Sequence, residues 1–207
     1  MRARRILWLR VVTHIGALTP LAVLIGLFWQ DQLGPVPIAA VIRRTGRYAL
    51  VLLILSLVPT VVRTVTGYGE LSHVRRWLGL YAFFYAALHF LAFAGLDYRF
   101  SFALIIQAIL EGRREIAGLV ALTILGLLAL TSIRGLMVRL GKTWKRLHRL
   151  VYLAGALVVL HYVWNYKELR AWPTVAGVAL LVLLALRLPP IAARLRQLRR
   201  QREPGAP

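Results

Sequence analysis

Six long apolar segments, separated by short and mostly basic stretches, dominate this sequence. Each is long enough to cross the hydrocarbon core of a bilayer, which takes roughly 17 to 25 residues of helix. Because no water satisfies the backbone in that core, such segments form helices. The sequence therefore predicts an all-α integral membrane protein, a six-helix bundle with spans at about 8–29, 46–63, 77–96, 116–133, 149–166 and 171–188.

The composition supports a membrane protein and excludes several other classes. Apolar residues make up 59% of the 207 residues and charged residues 16%, whereas ordinary globular proteins have about 25% charged residues. The net charge of +20 sits in short runs between apolar segments. Nucleic-acid binders carry such charge on a solvated domain, so we predict no nucleic-acid partner. Cysteine is absent, so any metal must be held by His or carboxylate.

The basic residues also predict the orientation of the chain. If the N-terminus is inside, the cytoplasmic segments are 1–10, 63–76, 134–149 and 187–207, and they hold 19 of the 27 Lys and Arg residues. An excess of Lys and Arg marks cytoplasmic loops. We therefore predict a multi-pass protein of the bacterial inner membrane, with an uncleaved first helix and both termini in the cytoplasm.

The whole chain, 1–207, is predicted to be a single transmembrane domain with a basic cytoplasmic tail at 189–207. The tail is interpreted either as a helix on anionic lipid headgroups or as a solvated topology signal. We find no internal repeat of fixed period. There is no glycine-rich phosphate loop, Ser/His/Asp arrangement or carboxylate pair, so no catalytic residue is predicted. Chemistry must occur within the bundle or be handed to a partner.

Two histidines lie at the same depth on different spans. His89 and His161 each lie about twelve residues from the cytoplasmic end of an outward-running helix. At 1.5 Å per residue, both are roughly 18 Å above the inner surface. Ionisable residues inside a span indicate function, and two imidazoles can bind one haem iron from opposite faces. We therefore predict a haem site in the outer half of the bilayer.

The neighbours of the two histidines differ in size. Three alanines share the helix face of His89 and leave room for a porphyrin, whereas the face of His161 is bulkier. The residues expected beside His89 are Ala82, Tyr85, Ala86, Ala92 and Phe93, and those beside His161 are Ala154, Leu157, Val158, Trp164 and Asn165. A second interpretation stays open, in which the two histidines only hydrogen-bond across helices and stabilise the bundle.

A third histidine, His148, marks the inner end of the fifth span, roughly 20 Å of helix from His161. At the same depth the third span has Arg75 or Arg76. Arg does not deprotonate and is a poor iron ligand, but it binds a haem propionate or a phosphate through paired hydrogen bonds. His148 is therefore a candidate for a second haem with another axial partner, for a quinone or for a flavin phosphate. It is otherwise an ordinary interfacial histidine.

Two other histidines are weaker candidates. His14 lies in the inner half of the first span, where it contacts a quinone headgroup or a propionate, or else packs against a neighbouring helix. His73 is expected to be solvated in a cytoplasmic loop. The aromatic residues near the span ends form an ordinary interfacial belt; they are Trp29, Trp77, Trp164, Tyr166 and Trp172.

Two stretches carry a family resemblance. RRWLGLYAFFYAALHF (Arg75–Phe90) resembles the third span of the MsrQ (YedZ) family. TSIRGLMVRLGKTWKRLHRLVYLAGALVVLHYVW (Thr131–Trp164) resembles that family's fourth loop and fifth span, and LHRLVY and LHYVW are its most specific elements. The wider group is the ferric-reductase-like transmembrane domain, shared with ferric reductases and NADPH oxidases. Length, six spans and a basic inner face agree over almost the whole chain.

The resemblance implies a haem b electron-transfer subunit. Electrons would pass from the quinone pool (ubiquinone or menaquinone), or from a cytoplasmic flavin reductase, to a periplasmic molybdopterin enzyme of the MsrP type that repairs oxidised methionine. FMN is associated with the family. Its histidine ligands correspond to His89, His148 and His161. The superfamily usually has two histidines on each of these spans, and Arg75 or Arg76 at the inner position leaves the second haem open.

Two other functions compete with this interpretation. One is a self-standing ferric or oxygen reductase, and the other is a non-redox small transporter or assembly factor whose histidines are structural. In the electron-transfer interpretation, the donor is expected near His148, Arg75, Arg76 and His14. The acceptor is expected to dock on the outer loops 97–115 and 165–171.

Overall fold

The computed structural model describes residues 2–164 and 171–202. Over these residues the chain is helical and contains no strand. A 3₁₀ turn covers Glu70–His73 and a π-helical turn covers Phe93–Asp97. The α-helices are α1 (Arg2–Trp29), α2 (Pro37–Thr66), α3 (Arg75–Ala92), α4 (Phe102–Glu111), α5 (Arg113–Leu130), α6 (Arg134–Leu147), α7 (Leu150–Trp164), α8 (Ala171–Ala185) and α9 (Pro189–Arg202).

Several of these helices are suited to crossing a membrane. Among the described residues, α1, α2 and α3 with its π-helical turn are each long and apolar enough on their own. Two bent pairs, α5 with α6 and α8 with α9, raise the number to five if each pair is one span. The all-helical, multi-pass prediction is therefore confirmed. The count of six spans stays a prediction. The described part of α7 ends at Trp164 and has 15 residues, which is shorter than a membrane-spanning helix.

Two helices lie in stretches that the sequence analysis treated as connections. α4 lies within the outer connection at 97–115, and α6 lies within the inner connection at 134–149. Both are amphipathic and too short to span a bilayer, so a search for long apolar runs does not find them. The α5–α6 pair bends by 110°, and α8–α9 bends by 74°. The tail at 189–207 is helical as far as Arg202.

The core joins two long helix pairs. α2 packs along α3, α5 packs along α7, and α8 packs against α2 and α7. Ala82 on α3 and Ala154 on α7 are completely buried in one cluster, and small side chains at such positions let membrane helices approach closely. Tyr85, also completely buried, donates a 2.7 Å hydrogen bond to the carbonyl of Ala17 on α1. These contacts fix the position of α3, which carries His89.

Candidate functional site

His89 on α3 and His161 on α7 face each other inside the bundle. Their ring centroids are 6.0 Å apart, and the ring planes are 83° apart. The two residues that the sequence placed at matched depth are therefore neighbours in space.

Each ring is held by a backbone carbonyl of a neighbouring helix. Nδ1 of His89 lies 2.8 Å from the carbonyl oxygen of Ile42 on α2, and Nδ1 of His161 lies 2.9 Å from that of Arg114 on α5. A carbonyl only accepts hydrogen bonds, so both Nδ1 atoms must carry the proton and donate it. Each neutral imidazole then keeps the Nε2 lone pair for a ligand. A histidine that ligates a metal typically makes this kind of second hydrogen bond.

The spacing of the two rings matches axial coordination of one metal ion. A metal–imidazole nitrogen bond is about 2 Å long, so two imidazoles on opposite sides of a metal ion have their centroids about 6 Å apart. The observed 6.0 Å agrees with this value. Within the described part of the chain, no three His, Asp or Glu residues cluster as a metal site. The pair of imidazoles suits haem iron, because the porphyrin supplies four nitrogens and the protein needs to supply only two ligands.

A cavity of about 860 Å³ surrounds the histidine pair. Its size lies within the range of about 300–1,000 Å³ that is common for cofactor sites. Apolar side chains from α2, α3, α5 and α7 form most of the wall; they include Leu50, Ala86, Phe90, Phe93, Leu122 and Val158. The space and the apolar lining therefore fit a flat, largely apolar macrocycle.

One end of this cavity is charged. Arg43 and Arg47, one turn apart on α2, and Arg114 on α5 contribute basic groups to the wall. Arg114 is paired with Glu115. Haem carries two propionates, and guanidinium groups bind carboxylates well. The charged end therefore provides a chemical match for the polar edge of a haem.

The cavity owes its space mainly to residues that the sequence analysis did not single out. Gly46 and Ala49 on α2, and Gly118 and Ala121 on α5, line the wall. Of the three alanines expected to leave room on α3, Ala86 lies in the wall. In the sequence, this lining is indicated by a glycine followed three residues later by an alanine, a pattern that occurs on both the second and the fourth span.

Other expected neighbours of the two histidines have different surroundings. Phe93 and Val158 line the cavity as expected. Ala82, Tyr85 and Ala154 are buried in the helix-packing core instead. Asn165, Tyr166 and the predicted acceptor loop up to residue 170 lie outside the described residues, as does the side chain of Trp172.

A second cavity, of about 260 Å³, lies nearer the predicted cytoplasmic side. His148, Arg75 and Arg76 all line it, together with Ser72, Ser132 and Trp144. The three residues expected to surround an inner ligand are therefore brought together. Leu53 and Leu125 line both cavities, so the inner and outer sites are adjacent.

His148 lies in the short connection between α6 and α7. Its Nε2 atom is 3.4 Å from the Ser132 hydroxyl, and its Nδ1 atom is 3.2 Å from the Trp144 carbonyl. Burial lowers the pKa of His148 below its ordinary value, and the positive charge of Arg75 lowers it further. His148 is therefore neutral at pH 7. Because its Nδ1–H donates to the Trp144 carbonyl, its Nε2 atom can accept a hydrogen bond from a ligand in the inner cavity.

His14 lies outside the lining of both cavities. Its Nδ1 atom is 2.8 Å from the hydroxyl of Tyr81, and its ring packs edge-on against Trp77 at 4.7 Å. This is the helix-packing alternative considered for His14, and a contact with quinone stays a prediction. His73 is exposed at the end of the 3₁₀ turn, as expected.

Comparison with known proteins identifies similar chains. Residues 45–159 match the family described as "Ferric reductase like transmembrane component". A "Protein-methionine-sulfoxide reductase heme-binding subunit MsrQ" of Xanthomonas axonopodis pv. citri is 40% identical over 95% of this chain and 94% of its own length. A protein of the same name from Rhodospirillum rubrum is 39% identical over 90% of each chain.

Proposed function

The chain belongs to the MsrQ family of ferric-reductase-like membrane proteins, and on that premise we propose that it is a haem b electron-transfer subunit of the bacterial inner membrane. Its partner is a periplasmic molybdopterin methionine sulfoxide reductase of the MsrP type, which repairs oxidised envelope proteins. Substrate chemistry then takes place on the partner, and this chain delivers the electrons.

The facing pair of His89 and His161 supports this proposal most strongly. Both rings offer Nε2, their centroid spacing suits one metal ion, and the surrounding cavity has room for a macrocycle. When haem is bound there, it supplies reversible one-electron transfer. The protein's part is to hold both imidazoles as neutral ligands through the Ile42 and Arg114 carbonyls. Those hydrogen bonds make each imidazole a more basic ligand.

The three arginines at one end of the outer cavity, Arg43, Arg47 and Arg114, are proposed to bind the propionates. The apolar residues of the wall would exclude water from a bound haem and give it a low local dielectric, both of which tune a haem potential.

The inner cavity is the proposed entry point for electrons. Arg75, Arg76 and His148 supply two fixed positive charges and one neutral imidazole to it. This set suits a quinone carbonyl, the phosphate of FMN or the propionates of a second haem. The donor is the quinone pool, as ubiquinone or menaquinone, or a cytoplasmic flavin reductase. Leu53 and Leu125 line both this cavity and the outer one, so a ligand here would lie next to the outer site.

The proposed topology has six spans with both termini in the cytoplasm. The charge bias supports it, since most basic residues lie on the predicted inner side. In this arrangement α6 and α9 lie along the inner surface, where their basic residues meet anionic lipid headgroups. The partner docks on the opposite side, near α4 and the outer connections.

Difference spectra of the purified protein test the proposal. Reduced-minus-oxidised spectra should show b-type bands in the wild type, and His89→Ala or His161→Ala should abolish them. His73→Ala is the matched control, because His73 is exposed and does not line either cavity. Haem-free wild type from haem-replete cells would rule out the proposal, as would bands that persist in both variants.

The family description favours one second candidate, a self-standing ferric reductase. The reduced protein can be mixed either with a ferric chelate or with an MsrP-like partner and oxidised methionine. Fast reoxidation by the chelate alone would favour the ferric reductase. Fast reoxidation that requires the partner would favour the electron-transfer subunit.

A further inference from the structure

The two helix pairs that carry the histidines are built on the same pattern. In both pairs the histidine bonds to a carbonyl 47 residues earlier in the chain. Each residue of the second helix pair lies 72 positions after its counterpart in the first. Examples are His89 and His161, Gly46 and Gly118, and Ile42 and Arg114. The outer cavity is lined by such matched residues, namely Gly46 and Gly118, Ala49 and Ala121, and Leu53 and Leu125.

This correspondence corrects the expectation that the chain has no internal repeat. Several matched positions face the cavity, whereas other positions in its wall differ between the two pairs, such as Arg43 and Glu115 or Ala86 and Val158. A search for overall self-similarity therefore misses the repeat. The same offset pairs Arg76 with His148, so Arg76 rather than Arg75 occupies the place of a fourth histidine.

The two glycines lie directly against the histidine rings. A Cβ atom on Gly46 would be 3.0 Å from Nδ1 of His89, and one on Gly118 would be 2.7 Å from Nδ1 of His161. Each glycine lies one turn after the carbonyl that accepts the hydrogen bond from the same Nδ1. Any larger residue would push the ring away from that carbonyl. Both glycines are inside helices, where alanine is the more favourable residue.

We propose that Gly46 and Gly118 are positioning residues for the two axial imidazoles. Their missing side chains let α2 and α5 approach the rings closely enough for the Ile42 and Arg114 carbonyls to fix the tautomer and the ring plane. This inference rests on the proposed haem function. Neither glycine needs to touch the cofactor, since each acts through the histidine beside it.

The positioning role has a consequence for the redox potential. A histidine that donates Nδ1–H to a carbonyl is a more basic ligand through Nε2. A more basic ligand favours the ferric state, so the two hydrogen bonds lower the potential. Displacing a ring weakens its hydrogen bond, and the midpoint potential of the haem should rise. Rotation of the ring also changes the 83° angle between the imidazole planes, to which the electron paramagnetic resonance spectrum of ferric haem is sensitive.

The test uses purified full-length holoprotein with Gly46→Ala and Gly118→Ala. We expect each to lower haem affinity by about 10-fold or more, the usual effect of losing an outer-shell partner. We also expect a higher midpoint potential and a changed resonance spectrum. The effect should be larger for Gly118→Ala, since its added atom comes closer to the ring. If Gly118→Ala is not recovered folded, Gly46→Ala carries the test alone.

Two glycine variants serve as controls. Gly126→Ala on the same helix as Gly118 would crowd Phe83 at 3.3 Å instead of a histidine, and Gly16→Ala on α1 would meet nothing within 4 Å. Both should keep the wild-type potential and resonance spectrum, even if Gly126→Ala lowers the thermal stability. Wild-type affinity, potential and spectrum in both Gly46→Ala and Gly118→Ala would overturn the inference. Haem-free wild type would instead overturn the proposed function.

Discussion

The imidazole of His148 stacks on the indole of Trp144, with the ring centroids 3.9 Å apart and the planes 30° apart. The same tryptophan accepts a hydrogen bond from His148 through its backbone carbonyl, and its indole N–H donates a 2.9 Å bond to the carbonyl of Thr131. Trp144 therefore ties His148 to the end of α5 and holds its ring at the wall of the inner cavity.

Replacing His148 by Ala should slow electron entry while the outer haem stays bound. A hydrogen bond to a charged or strongly polar ligand is worth about 1.5–3 kcal/mol, so reduction of the outer haem by quinol should slow by at least about tenfold. Stopped-flow reduction and haem-to-protein ratios measure both quantities. A lower haem-to-protein ratio in the variant identifies a second haem in the inner cavity. An unchanged ratio with slow reduction of the outer haem identifies a quinone or flavin site.

Trp144→Phe is the control for the His148 variant, because it keeps an aromatic ring beside His148 and loses only the bond to Thr131. Its effect on the reduction rate should be smaller than that of His148→Ala. If His148→Ala matches the wild type in both haem ratio and rate, the inner cavity has no part in electron entry.

His14 is expected to act as a packing residue. It bonds to Tyr81, and removing a hydrogen bond of this kind costs about 0.5–1.5 kcal/mol of stability. His14→Ala and Tyr81→Phe should each lower the thermal unfolding temperature. The double variant should lower the unfolding temperature by less than the sum of the two single decreases, because the partners share one interaction. Haem content and quinol-driven reduction should stay at the wild-type level in all three. Slow reduction with normal stability in His14→Ala would instead indicate a quinone contact.

The sequence was sufficient to predict that His89 and His161 lie together, for a simple physical reason. Charged or titratable groups are costly inside a membrane, so a histidine within an apolar span stands out. The rise per residue of a helix then gives its depth. These two rules identified His89 and His161 and grouped His148 with Arg75 and Arg76, all of which line the two cavities.

The features missed from the sequence depend on how helices are rotated against each other. Gly46 and Gly118 matter because of the ring that each one faces, and no rule of spacing along one helix gives that contact. The carbonyls of Ile42 and Arg114 carry no side-chain signal at all. Likewise, α4 and α6 are too short for a search based on spanning length, and α6 is also too polar.

Tyr85→Phe should destabilise the bundle without changing the haem site. The hydroxyl of Tyr85 is fully buried and bonds to the Ala17 carbonyl at 2.7 Å. Its removal should cost roughly 1 kcal/mol, measured by thermal unfolding in detergent with haem absorbance as a second signal. Tyr68→Phe is the control, since Tyr68 is exposed and bonds to Glu70 at the surface. A shift no larger than that of the control would show that the Ala17 contact contributes little to stability.

The absence of cysteine makes the topology directly testable. Single cysteines can be introduced without removing any native thiol. His73, Gln107 and Gln201 are exposed positions in the 3₁₀ turn, α4 and α9. None of the three lines a cavity, so substitution there should leave haem binding intact.

A membrane-impermeant thiol reagent added to intact spheroplasts should label Gln107→Cys and leave His73→Cys and Gln201→Cys unlabelled until the cells are lysed. This outcome follows from the excess of Lys and Arg on the side that carries His73 and the tail. Labelling of His73→Cys in intact spheroplasts would show that the protein has the opposite orientation, with His148 on the periplasmic side. If Gln201→Cys is labelled while His73→Cys is not, the chain crosses the membrane an odd number of times between these two positions. The proposed function places His89 and His161 nearer the acceptor than His148, so the proposed direction of electron flow depends on this result.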